Sequence, residues 1–141
     1  MSYEMTWLVD QRILRIHIDQ GLNLSEVNQM MTQKRALCER GQGNIYVIYD
    51  AADHVKMTLS MQDIVKMFHS APPPVPAVKW CVFVSPSVTN HVFFNIIAQL
   101  TCGRNRAFTT LPDALAFIQQ MENPCGYVPA PYQNLQFELS S

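Results

Sequence analysis

Glycine is scarce in this chain, with only 5 among 141 residues, and none lies where an α/β protein would cradle a phosphate. The stretches AADHVKMT (51–58) and SPSVTN (85–90) each follow an apolar run, and neither supplies a GxGxxG or P-loop backbone. Nucleotide binding is therefore not expected. Charge is sparse as well. Asp, Glu, Lys and Arg make up 15% of the residues and nearly cancel, to a formal charge of -1, which excludes an extended basic surface for nucleic acid. The 48% hydrophobic content excludes a disordered chain.

No run approaches the roughly 20 apolar residues of a membrane span. The opening MSYEMTW lacks a basic stretch leading into an apolar one. A soluble cytoplasmic protein is expected, with neither membrane nor nucleic acid as partner. Cys38, Cys81, Cys102 and Cys125 form no CxxC pair and have no histidine at metal-ligand spacing. They read as free thiols, so no disulfide, metal or cofactor is expected.

What the chain does have is alternation between strand and helix patterns. The stretch that organises it is NIYVIYDAAD, Asn44 to Asp53, where Ile45, Val47 and Tyr49 share one face and Tyr46 and Ile48 the other. Apolar character on both faces marks an interior strand. Before it, Met5–Val9 and Arg12–Asp19 flank an Asp10-Gln11 turn as a hairpin. In its second strand Leu14, Ile16 and Ile18 alternate with Arg15, His17 and Asp19, so one sheet face there meets water or a partner.

Asn23, with Glu26 three residues on, caps a helix through Leu24, Val27, Met30, Met31, Leu37 and Cys38, and Gly41 and Gly43 stop it. Thr58 or Ser60 caps a second helix with Met61, Ile64, Val65 and Phe68 on one face, ending before the stiff Pro72–Pro74 connector. KWCVFVS, Lys79–Ser85, is a second interior strand. Thr89 or Asn90 opens a third helix, in which Phe93, Phe94, Ile96, Ile97 and Leu100 exceed the apolar stripe that a surface helix buries. Arg106–Thr109 is a short strand. Thr110 and Asp113 start a fourth helix through Ala114, Leu115, Ile118 and Met121.

The order ββαβαβαβα predicts an α/β fold with a largely parallel sheet, an antiparallel N-terminal edge strand and four helices. Residues 1–122 are expected to form this domain, and 123–141 a docked tail carrying Tyr127, Tyr132, Leu135, Phe137 and Leu139. Ligands of open α/β sheets sit beyond the carboxyl ends of the strands. That edge gathers Asp50, Asp53, His54, Ser60, Ser85, Ser87 and His91 as candidate ligand or switch residues. No catalytic residue is assigned, because Ser85 and Ser87 lack the GxSxG elbow and the histidines make no pair. Lys79, Arg104 and Arg106 read as a solvated rim. Phe93, Phe94, Ile97 and Leu100 are the candidate interface.

Over residues 5–122 this pattern resembles the STAS domain of bacterial anti-sigma-factor antagonists, the SpoIIAA-like fold. In that family a buried strand ends in Asp, a valine follows, and a DSSG box opens the next helix. Here Asp50, Val55 and the helix start at Thr58–Gln62 take comparable places, and Arg106–Ile118, RAFTTLPDALAFI, looks like the closing strand, turn and helix. Leu59, Ser60, Met61 and Gln62 stand at the box, so a single serine remains of it. The resemblance implies a βα superhelix and a binding style more strongly than phosphorylation switching.

The function expected on these grounds is a non-enzymatic, homodimeric protein-interaction module. The alternative is a carrier of a small apolar ligand or lipid held between sheet and helices. A third reading is an enzyme on the Asp50, Asp53 and His54 edge.

Overall fold

Two strands joined by a three-residue connection start the chain. In the computed structural model, which describes residues 2–40, 43–51, 55, 59–70, 75–87, 90–92, 94–96 and 104–122, β1 is Tyr3–Val9 and β2 is Ile13–Ile18. The Arg12 N–H donates to the Val9 carbonyl at 2.9 Å, and Gln11 adopts the left-handed conformation at φ 56° that closes the turn. The first strand begins two residues before the expected Met5. Tyr3 is buried and its hydroxyl donates to Gln33 Oε1 at 2.8 Å, while the Ser2 hydroxyl donates to Glu26 Oε2.

Helix α1 (Leu24–Glu39) starts in the expected reciprocal cap: Asn23 Oδ1 accepts from the Glu26 N–H, and Glu26 Oε1 accepts from the Asn23 N–H. Strand β3 (Ile45–Ala51) follows a turn in which Gly43 takes φ 88°. Then come α2 (Met61–Ser70), β4 (Val78–Val84), α3 (helical at residues 90–92 and 94–96), β5 (Asn105–Phe108) and α4 (Leu111–Glu122). The five strands lie in chain order, β1-β2-β3-β4-β5, with β1 antiparallel to β2 and every other pair parallel.

Period-2 alternation divides the buried residues between two layers. On one face Leu14, Ile16, Ile18, Ile45, Val47, Tyr49, Cys81 and Phe83 meet Val27, Met30 and Cys38 of α1, Met67 of α2 and Phe94 of α3. On the other, Ile13, Tyr46, Ile48, Val82 and Val84 meet Ala114, Leu115, Phe117 and Ile118 of α4. Three helices thus share one face. Among the described residues α4 alone packs on the other, against β3, β4 and β5.

Stacked rings occupy part of the first layer. Tyr49 stacks on Phe83 with ring centroids 5.0 Å apart, and Phe83 stacks on Phe94 at 4.9 Å. Each such pair contributes about 0.5–1.5 kcal/mol beyond its area burial. Lys34 completes the row: it is 6% exposed, and its ammonium lies 6.0 Å above the Tyr49 ring. The α1 pattern had left Lys34 out of the core, because its methylene stem carries no apolar label.

Three sequence expectations change. On α2, Met61 and Val65 are exposed and Met67 is buried, so the helix is rotated from the face expected to pack. On α4, Phe117 is buried and Met121 is exposed. The cap of α3 is Ser87, whose Oγ accepts from the Asn90 N–H at 3.4 Å while its carbonyl accepts from the His91 N–H at 3.2 Å. Cys38 and Cys81 are buried and form no disulfide. Thr58, Pro72–Pro74, Thr89, Cys102, Cys125 and the 123–141 tail lie outside the described residues.

Tyr46 closes the α4 layer near the ion pair of Arg12 with Glu122, 2.7 Å. Burial, and then the Glu122 carboxylate, raise its phenol above the ordinary value of 10.0, with Arg12 opposing. The folded chain therefore holds this proton more tightly than the unfolded chain. Its stabilising contribution is complete below pH 10.0 and is lost as the pH climbs through the raised value. Alkaline thermal melts should show a Tyr46→Phe variant losing less stability above that pH than the parent. Equal slopes would contradict the assignment.

Candidate functional site

The strand-end residues do not form one site, because alternation sends them to opposite faces. Ser85 follows Val84 of the α4 layer and turns to the three-helix side, where it is fully buried. Its Oγ accepts from the Ser87 N–H at 3.1 Å and from Asn90 Nδ2 at 3.3 Å, and Asn90 Nδ2 also donates to the Val55 carbonyl at 2.8 Å. His91 Nε2 donates to the Ser85 carbonyl at 2.5 Å. This network ties the loop after β3 to the loop after β4, and it spends the polar capacity of Ser85 on the protein itself.

Ser60 caps α2. Its Oγ accepts from the Asp63 N–H and its own N–H donates to Asp63 Oδ2, both at 3.1 Å. The hydroxyl is exposed, and the neighbouring Asp63 carboxylate would repel an added phosphate. Asp53 and His54 lie outside the described residues, as do Phe93, Ile97 and Leu100. Phe94 is 2% exposed and belongs to the aromatic row inside the chain. A groove of about 340 Å³ opens between α3 and β5, with Phe83 at its floor and His91, Asn95 and Asn105 along its walls.

Asp50 lies on the other face, in a cluster that the sequence did not reveal. Parallel pairing sets His17 beside Asp50, with Arg15 one pleat away. Asp50 Oδ2 accepts from Arg15 Nε at 3.0 Å and from Arg15 Nη2, and meets His17 Nδ1 at 3.3 Å. His17 Nε2 lies 2.7 Å from Asp19 Oδ1. The Asp50 partner of His17 became visible only once β2 and β3 were known to be neighbours, although the shared face of Arg15, His17 and Asp19 was already in the alternation.

Both ring nitrogens of His17 face carboxylates, and the Asp50 charge is met by Arg15. The cluster therefore presents neither a free base nor an open ligand set, and no group of metal-ligating side chains exists among the described residues. What it presents is a polar, half-exposed surface on β2 and β3, beyond the reach of α4. Arg106 of the expected rim is exposed, and its guanidinium lies 5.2 Å from the Phe108 ring and 5.0 Å from that of Phe117.

No protein-family model matches this chain, and no curated protein matches it. Among solved structures it is similar to an uncharacterized protein of the DUF3478 family with a SpoIIAA-like fold, from Shewanella loihica PV-4. The TM-score is 0.52 at 17% identity, over 82% of this chain and 90% of that one. The fold is SpoIIAA-like. Within it β1 is the antiparallel edge expected of the N-terminal strand, and no helix among the described residues is long and apolar enough to cross a membrane.

Replacing Asp50 by Ala would leave Arg15 and His17 facing an empty position on a partly covered surface. A loss of about 1–3 kcal/mol is expected, the range for removing one partner of a charged hydrogen bond. Denaturant unfolding measures it, and an unchanged midpoint would remove Asp50 as the hub of this face.

Proposed function

We propose that this chain is a non-enzymatic STAS-type protein-interaction module that works as a homodimer. The observation that carries the interaction reading is on α2. Met61 is 74% and Val65 48% exposed, one turn apart, on the helix that Ser60 caps, while Met67 anchors the opposite side in the core. Two large apolar side chains exposed side by side on a capped helix support a surface for a protein partner there.

The polar groups weigh against catalysis. At the strand edge Ser85, Asn90 and His91 bond one another and the backbone, and on the open face Arg15, His17 and Asp50 do the same. An enzyme needs groups that converge on space for a substrate. Part of the space between the sheet and its helices is taken up by the stacked Tyr49, Phe83 and Phe94 rings, which supports the interaction reading over a carrier.

The test is affinity capture with the full chain and with Met61→Asp and Val65→Asp variants. Covering either side chain is worth roughly 1.5–3 kcal/mol, so each variant should weaken a specific partner about tenfold or more. Both should fold normally, being exposed. Retention of the same proteins by parent and variants would contradict the α2 surface.

A further inference from the structure

Among the described residues the outer edge of β1 is unpaired, and we propose that a second copy of this chain pairs with it antiparallel about a two-fold axis at Met5, joining two sheets into one. This rests on the homodimer reading above and specifies its interface. The Asp19 N–H donates to the Ser2 carbonyl at 2.9 Å, in register with Tyr3 opposite Ile18. The bonds between β1 and β2 therefore run through Ser2, Glu4 and Thr6, because hydrogen-bonded pairs alternate along an antiparallel ladder. The N–H and C=O of Tyr3, Met5 and Trp7 point away from β2, and no backbone partner meets them among the described residues.

Sheet edges are normally blunted by lysine, proline, a bulge or a covering element. The strand YEMTWLV carries no lysine and no proline, and its irregularity comes only after Trp7. A register centred on Met5 uses the outward groups of all three residues, placing Met5 opposite Met5 and Tyr3 opposite Trp7. A register centred on Glu4 would oppose two carboxylates, and one centred on Thr6 would run Tyr3 into the bulge.

Charge in the Met5 register is self-complementary. Glu4 lies beside His17 in its own sheet, and Thr6 beside Arg15. Across the axis Glu4 falls opposite the partner's Thr6, so the open face reads His17, Glu4, hydroxyl, guanidinium in both directions with no like charges facing. At the same edge a groove of about 480 Å³ is lined by Tyr3, Glu4, Met5, Asp19 and Gln33, and the partner's Trp7 would lie beside its Tyr3 end. Met5 and Trp7 are only partly buried within one chain, and the pairing covers them.

Light scattering across a dilution series tests this with Thr6, which is exposed and can change without disturbing the core. The parent should have twice the 16.1 kDa chain mass. Thr6→Glu opposes the partner's Glu4 and should weaken the dimer about fivefold, while Thr6→Lys should tighten it by a similar factor, since two such pairs form per dimer. Met5→Pro removes an outward N–H and should give a monomer with an unchanged β1–β2 hairpin. If Met5→Pro fails to fold, the Thr6 pair still decides. A parent that is monomeric at every concentration overturns both the edge and the homodimer. A dimer indifferent to the Thr6 charge overturns the edge alone.

Discussion

Strand β3 must be dry on both faces, and the rest of the molecule follows from how that is achieved. Its odd residues Ile45, Val47 and Tyr49 face three helices, and its even residues Tyr46 and Ile48 face α4. A strand covered on both sides has to lie inside the sheet, with β2 and β4 as parallel neighbours. Parallel neighbours need helical crossovers, which places α1, α2 and α3 on the first face and leaves the second to the one helix that remains.

That division leaves the sheet complete at its centre and unfinished at its margins. Where α4 does not reach, β2 and β3 end in the Arg15, His17 and Asp50 cluster, which tolerates water by internal ion pairing. On the hairpin side β1 has no neighbouring strand among the described residues, and on α2 two apolar side chains are exposed. The polar groups are spent on one another, while backbone and apolar groups at the rim are not. The interaction reading proposed above rests on this contrast.

The sequence made β3, the hairpin turn, the Asn23–Glu26 cap and the order of elements along the chain legible, since each follows from a local pattern or from the alternation of element types. It also implied an uneven cover through the half-polar β2. Helix rotation was less legible: Met61, Ile64, Val65 and Met67 are all apolar, so the period alone did not say that Met67 packs and Met61 does not. Lys34 and Asn90 are buried by a ring contact and by hydrogen bonds, which hydropathy does not encode. The His17–Asp50 contact depends on strand register, and the distinction between the faces of Asp50 and Ser85 depends on the same thing.

If the unfinished margin at β1 is where two chains meet, the amides of that strand should report it. Residue-resolved hydrogen exchange over a range of protein concentrations is the most direct measurement. The outward N–H groups of Tyr3, Met5 and Trp7 should become protected as concentration rises, while those of Glu4 and Thr6, bonded to β2, stay protected throughout. Fast exchange at Tyr3, Met5 and Trp7 at every concentration would contradict the account.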